Sequence, residues 1–368
     1  MITALVFIGI LSVLIFVHEG GHFFVAKRSG MKVEEFGFGL PPRLFGKKIG
    51  DTIYSINWLP FGGFVKILGE DGEEKTDPRS FGAKPFWMRF GVLFAGVAMN
   101  FLLGAYLLMV GYTAGLPAAV TTEDIKGGQI GNFRDLKVQI TGVMPGSPAE
   151  KAGLALGDTV RELKYLEEGD WKVFPISFTD RLKELIDLRR GKETILVVGR
   201  GDEQYDITVV PRLSPPEGEG ALGIQMSQTV ILLLPFYEAM WRGLKDAVHI
   251  VWLIVTVFST ALRDLIFQGK FAGELSGPVG IAVLTARFSQ LGFSYLMQFT
   301  AVLSINLAII NALPIPALDG GRAFFLALEK FRGKPVNQKI ERMVHATGFA
   351  ILILLMLLVT YRDVLKFL

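Results

Sequence analysis

The sequence predicts an α-helical polytopic membrane protein with four transmembrane helices, a membrane-associated β-hairpin region on one side of the bilayer, and an inserted α+β domain. Three observations predict it. Of 368 residues, 51% are hydrophobic and the mean hydropathy is +0.42, a balance typical of membrane chains rather than soluble domains. Four apolar stretches, at about 2–26, 86–112, 295–318 and 344–361, are long enough to cross the hydrocarbon layer as helices. Between the second and third, residues 120–213 turn polar and mixed, with strand and short-helix patterns. The chain thus divides into a first membrane part (1–119), the insert (120–213), a linker with an interfacial helix (214–291) and a second membrane part (292–368).

Composition narrows the chemistry. A net charge of +3 is too small to point to a polyanion, so nucleic acid is not an expected partner. With no Cys there are neither disulfides nor thiolate ligands, and any metal must be held by His and carboxylate.

The first span carries His18-Glu19-Gly20-Gly21-His22 near its end. On a helix, residues four apart share a face, so both imidazoles can reach one metal ion, and Glu19 between them is placed to act as a base. Zinc is the expected metal: it takes neutral imidazole nitrogen, keeps a position open when three protein groups bind it, and acidifies a bound water to a pKa of roughly 7. From Ile2 to His18 is about 24 Å of helix, against a hydrocarbon layer of about 30 Å, so the site lies inside the membrane near one face. The N-terminus has no basic leader and no Ala-x-Ala-like cleavage site, and reads as a retained span. Lys27, Arg28 and Lys32 follow it, which by the positive-inside rule puts the N-terminus outside and residue 27 onward in the cytoplasm.

Residues 34–71 alternate β-prone pieces with Gly and Pro, as in Phe36-Gly37-Phe38-Gly39 and Pro60-Phe61-Gly62-Gly63-Phe64, and read as one or two hairpins. Two uses stand for it. The region is a loop packing on itself, or a sheet edge that receives an extended substrate segment, with Gly37, Phe38 and Gly63 as candidate substrate-binding residues. In the second span Asn100 serves either a neighbouring helix or a substrate.

In the insert, 138–143 reads as a strand, 147–152 as a capped helix, 180–188 as a second helix, and 194–198 with 205–210 as a closing pair. Pro215, Pro216, Gly218 and Gly220 form a linker. A helix over 235–268 follows, whose apolar stretch, 247–262, is short for a crossing. Charge parity agrees with that. The span at 295–318 has its basic flank after it, so it runs outside to inside like the first, and a lone crossing at 247–262 would reverse it. Within 295–318, Asn306, Asn311, Pro314, Pro316 and Asp319 at the end break the rules of a lipid-facing helix and are tolerable only around a wet or protein-lined cavity. Asp319 sits at about the depth of His18 and His22, and two His with one carboxylate is the hydrolytic zinc pattern. His345, with no partner at ligand spacing, reads as a headgroup-level residue.

Together, His18-Glu19-x-Gly21-His22 and Asn311-x-x-Pro314-x-x-x-Leu318-Asp319-Gly320 closely resemble the bacterial site-two proteases, the membrane-embedded zinc proteases of regulated intramembrane proteolysis. Phe94-Ala95-Gly96-x-x-x-Asn100 and Ser276-Gly277-Pro278-Val279-Gly280 are similar to further signatures of that family. The Ser-Pro-Ala-x-x-Ala-Gly-Leu-x-x-Gly-Asp run at 147–158 resembles a PDZ domain, a small barrel that takes a peptide as an added strand. The resemblance implies His18, His22 and Asp319 as zinc ligands and Glu19 as the catalytic base. It implies Asn311 and Pro314 as substrate-binding residues. It further implies a bacterial inner-membrane protease with the PDZ-like domain outside and the active site near the cytoplasmic face. Its substrates would be single-span membrane proteins, an anti-sigma factor or remnant signal peptides, already cut outside. The PDZ-like domain would bind a peptide or only exclude large proteins. Two other classes compete: a metal transporter, disfavoured by the Glu beside a ligand and by the lack of internal repeats, and a non-catalytic PDZ receptor with a structural zinc.

Overall fold

The computed structural model describes residues 2–70, 76–121, 123, 125, 133–201, 203–269, 277–334 and 336–367. Asp71, at the end of the expected hairpin region, and Ser276 of the 276–280 motif lie outside them. The chain forms two compact units: Met1–Leu108 with Trp241–Ala286 and Phe299–Leu368, and Met109–Met240 with Arg287–Gln298.

The first unit opens with α1 (Ile2–Arg28), then the hairpin strands β1 (Val33–Ile49) and β2 (Thr52–Ile67), and α2 (Phe86–Ala114). Both strands are long and fold over on themselves. Phe36 pairs with Val65 on one side and Tyr54 on the other, and the far part of β1 continues beside Thr52–Ile56. Two strands thus make four plies, which is what frequent Gly and Pro in a β-prone stretch allow.

Apolar along its length, α1 has contacts that sort by helical spacing. One stripe meets the hairpin: the Ser12 hydroxyl donates to the Pro60 carbonyl at 2.6 Å, Ile15 lies against Gly62, and the Phe23 ring stacks on Phe36. The other stripe meets α2. A Cβ on Gly21 would fall 2.5 Å from the Ala95 carbonyl oxygen, so only glycine lets the two backbones come this close.

In chain order the insert supplies β3 (Leu116–Val120), β4 (Phe133–Val143), α3 (Pro148–Lys151), β5 (Thr159–Glu167), β6 (Asp170–Pro175), α4 (Thr179–Leu188), β7 (Thr194–Arg200), β8 (Glu203–Val209) and β9 (Ile224–Leu232). The last helices are α5 (Phe236–Gln268), α6 (Pro278–Leu291), α7 (Phe293–Ala312), α8 (Asp319–Arg332) and α9 (Gln338–Phe367). Gly104 of α2 lies against Ala301 and Ile305 of α7, and the Ser304 hydroxyl donates to the Asn100 carbonyl at 2.7 Å. At the start of α6 the Gly280 amide donates to the buried Asp363 carboxylate of α9 at 2.7 Å, and Gly277 packs on Val359. A Cβ on Gly277 would meet Val359 Cγ1 at 2.9 Å and the Asp363 carboxylate at 3.0 Å, which explains that glycine of the 276–280 motif.

Two expectations are corrected here. The third stretch is not one helix to 318: α7 ends at Ala312, and Pro314 and Pro316, which cannot donate the backbone hydrogen bonds a helix needs, carry the chain through a non-helical turn to α8. Further, among the described residues five helices are long and apolar enough to cross a membrane, and the stretch at 247–262, expected to be short for a crossing, lies in one of them. The fifth is α5, one unbroken helix of 33 residues, because Arg242, Lys245 and Asp246 before the apolar stretch and Arg263 and Asp264 after it are all helix-compatible.

In the second unit a seven-stranded antiparallel sheet runs in the order β3-β9-β4-β5-β7-β8, with β6 paired to β5. Val138, Ile140, Val160, Leu163, Leu196 and Val198 bury one face of it against Leu182, Leu185 and Ile186 of α4. The sheet is wider than the 120–213 read from sequence. The Pro/Gly stretch at 215–220 is a loop within it, and β3 and β9 add strands from either flank. Ser147 caps α3 by accepting from the Glu150 amide at 3.1 Å. Asp158 is wholly buried, held by Arg200 through two bonds of 2.6 and 2.7 Å and by the Ala155 amide.

Candidate metal centre

The centre is assembled from α1 and the first residue of α8, with α2 behind them. His18 and His22, one turn apart, turn their Nε2 atoms to within 3.2 Å of each other. Asp319 Oδ2 lies 2.9 Å from His18 Nε2 and 3.3 Å from His22 Nε2. The imidazoles are over nine-tenths buried.

Placement of Asp319 rests on backbone. The turn from 313 to 318 folds back over the start of α8 so tightly that a Cβ on Gly320 would fall 2.2 Å from the Leu313 carbonyl oxygen, and one on Gly321 2.3 Å from that of Ile315. Ala317 adopts φ +77°, a left-handed conformation that costs an L-residue of order 1–3 kcal/mol. Its amide donates to His345 Nδ1 of α9 at 2.9 Å, and Gly348 of the same helix packs on Pro316. His345 therefore steadies the turn that delivers Asp319, a role its position at the head of an apolar run did not reveal.

The residues fit zinc. His22 Nδ1 faces the Val92 carbonyl at 2.8 Å, an acceptor only, so Nδ1 carries the proton and Nε2 offers a lone pair. Asp319 Oδ2 is buried and accepts no hydrogen bond despite its two nitrogen neighbours. Acceptor atoms turned on one another are costly unless a cation joins them. Two imidazoles and a carboxylate form the three-ligand set that leaves one position open. Gly96 of α2 makes the space, since a Cβ there would meet His22 Nε2 at 2.5 Å and His18 Cε1 at 2.6 Å.

Glu19, one position round α1 from His18, accepts a hydrogen bond from the Val65 amide of β2 at 3.1 Å. The structure places the other expected residues less uniformly. Asn311 and Pro314 stand at the end of α7 and in the turn beyond, half-buried and exposed respectively. Gly63 faces the Gly37 carbonyl and Phe16 of α1. Gly37 is enclosed within the sheet, where a Cβ would strike Phe64, Asn57 and Ser55, so its glycine is required by packing. Phe38 is 37% exposed and packs edge-on against Phe16. Beside Asp319 opens a cavity of about 350 Å³, whose mixed lining includes the polar side chains of Glu70, Arg89, Arg322, Glu329 and His345.

Comparison with known proteins agrees with this chemistry. The profile of peptidase family M50 matches residues 6–355. The zinc metalloprotease RasP of Shouchella clausii is 31% identical, over 100% of this chain and 99% of its own length. RasP of Geobacillus kaustophilus is 30% identical, over 98% and 97%, and the regulator of sigma-W protease RasP of Bacillus subtilis 30%, over 98% of each. A match running through both halves of the metal centre, from the first helix to the last, leaves one assignment: the chain belongs to peptidase family M50, the site-two protease family of zinc metalloproteases.

Proposed function

We propose that the protein is an intramembrane protease of the bacterial inner membrane that hydrolyses peptide bonds in or near the transmembrane segment of single-span membrane proteins after a prior cut outside. One observation carries the reading: the His18, His22 and Asp319 donor atoms converge within 3.3 Å among helices apolar enough to cross a bilayer. Charged and ligating groups at such depth are expensive and are kept for function. The basic residues after α1 and α7 support an N-terminus and insert outside and a centre near the cytoplasmic face.

Bound at the three ligands, zinc would supply Lewis acidity and a water that ionises near neutral pH. Glu19 takes the proton from the attacking water and returns it to the leaving amine. The Val65 amide, donating to it at 3.1 Å, restrains the Glu19 carboxylate. The cavity beside Asp319 offers water a route to the centre. A substrate helix must unwind before its backbone can be cut, and the β2 edge next to Glu19, at Gly63, with Asn311 and Pro314 at the end of α7, is where the extended segment would be held. Anti-sigma factors and remnant signal peptides are the substrate classes we favour, in keeping with the sigma-W regulator among the relatives.

The insert is read as a PDZ-like domain that binds an extended peptide. Among the described residues, β3 pairs with β9 only at Gln228–Leu232, which leaves one edge of Ile224–Ser227 open next to the start of α4, where Thr179 bonds Gln228.

The test is cleavage of a reporter single-span substrate in detergent, with and without a zinc chelator, by the parent and by Glu19→Gln. Chelator-sensitive cleavage abolished in Glu19→Gln is expected. Parent-level activity in that variant would remove Glu19 from the chemistry, and absence of any peptide cleavage would favour a transporter or receptor.

A further inference from the structure

His22 is held in its ligating form by the Val92 carbonyl; His18 needs an equivalent. The only side-chain group bonded to its other ring nitrogen among the described residues is the Asn100 amide. Asn100 is fully buried in the middle of α2, and its amide nitrogen as placed is 3.3 Å from His18 Nδ1. The other end of that amide, Oδ1, is buried with no partner. Amide oxygen and nitrogen exchange places by a half turn of the side chain, and their assignment follows from the bonds they make.

The two arrangements have opposite consequences. If Nδ2 donates to His18 Nδ1, neutral His18 carries its proton on Nε2, which then cannot bind a metal. If Oδ1 accepts from Nδ1–H, the Nε2 lone pair is free to face His22 Nε2 and Asp319 Oδ2, at 3.2 and 2.9 Å. Only the second is compatible with the ligand set, and it also satisfies the orphaned oxygen.

We propose that Asn100 is a positioning residue that holds His18 in its zinc-binding tautomer through a hydrogen bond from His18 Nδ1 to the Asn100 side-chain oxygen. The surroundings are built for it. Val92, Gly96 and Asn100 follow one another at four-residue spacing along one face of α2, so a single stripe supplies the carbonyl for His22, the gap for both rings and the acceptor for His18. The backbone at Asn100 is anchored in turn by the Ser304 hydroxyl. Groups that orient a ligating imidazole typically contribute 10- to 100-fold in metal affinity.

This inference rests on the zinc reading of the triad, and the test separates the two. Zinc affinity of the full chain in detergent is measured by competition with a chelating dye for the parent, His22→Ala, Asn100→Leu and Asn100→Asp, with thermal unfolding of each metal-free protein. If the parent binds no zinc, or binds it as well as His22→Ala does, the triad reading fails. Given triad-dependent binding, Asn100→Leu, which fills the same volume without an acceptor, is expected to bind about 10- to 100-fold more weakly. Asn100→Asp, which can only accept, is expected to match or exceed the parent. Asn100→Asp binding as weakly as Asn100→Leu, or Asn100→Leu binding as the parent does, overturns the proposal. Should Asn100→Leu fail to fold, Asn100→Ala takes its place: the acceptor arrangement requires a loss of zinc affinity there, the donor arrangement none.

Discussion

Replacing Gly96 by alanine adds a single methyl group at the point where α2 passes behind both imidazoles. That methyl would meet His22 Nε2 at 2.5 Å, His18 Cε1 at 2.6 Å and His18 Nδ1 at 2.8 Å. Ordinary contact begins at about 3.4 Å, so each ring must recede by roughly 0.6 to 0.9 Å or α2 must move away. Neither adjustment is cheap. The rings are packed and hydrogen-bonded to α2 itself, and Gly21 already places α1 against the Ala95 carbonyl. Zinc sites tolerate about ±0.2 Å in ligand distance, and a 1 Å misplacement costs on the order of 100-fold in rate. Gly96→Ala is therefore expected to weaken zinc binding by about 100-fold, or about 2.7 kcal/mol, with cleavage falling in parallel. Dye competition and a reporter-cleavage assay measure both, and Gly91→Ala is the control. A Cβ at Gly91 finds only Val25 Cγ1 at 3.9 Å, and that variant is expected to behave as the parent does. Zinc affinity and activity of Gly96→Ala both within threefold of the parent's would refute the packing argument.

Three further outcomes are expected. His345→Phe keeps the ring beside Phe325 but removes the acceptor for the Ala317 amide, and zinc affinity should drop about tenfold. Adding Ala317→Gly, which relieves the left-handed strain, should recover part of it, and unchanged affinity in His345→Phe would show that the turn holds itself. Arg200→Met strips the buried Asp158 carboxylate of its two charged donors. Arg200 is partly exposed and the Ala155 amide remains, so we expect about 2–3 kcal/mol of lost local stability in hydrogen exchange at β5 and β7, less than for a fully buried pair, and unaltered protection would contradict it. In the hairpin, burial pushes the Glu35 carboxyl up, but the Ser55 hydroxyl and the Arg43 guanidinium outweigh it and hold it below its usual value of 4.5. The ionised form stabilises the fold, so the contribution is full above pH 4.5 and lost as pH falls through the lowered value. Hairpin amide protection, corrected for the intrinsic pH dependence of exchange, should thus fall on acidification in the parent and stay flat in Glu35→Gln, and equal pH dependence in the two would eliminate Glu35 as the source.

What could be read without coordinates was what local periodicity encodes. A four-residue spacing on an apolar helix puts His18 and His22 on one face whatever surrounds them, and hydropathy gives the depth of each residue in the bilayer. Depth alone made Asp319 a candidate, because a membrane removes one degree of freedom from the search. Hydropathy is blind, however, to where an apolar run stops being helical, which is why the run to 318 concealed the break after Ala312. It also counts only the uncharged run, which is why α5, legible as a helix over 235–268, read as short for a crossing.

Only the tertiary structure decided which way each group faces around its helix axis. Gly21 and Gly96 bring α1 and α2 together and make room for two rings. Asn100 and Val92 reach the far nitrogens of those rings, and His345 grips a backbone amide 28 residues before it. The contacts at Val92 and His345 join a side chain to a main-chain atom of a distant segment, and a backbone amide or carbonyl is present at nearly every position, so it leaves no mark in the amino-acid sequence.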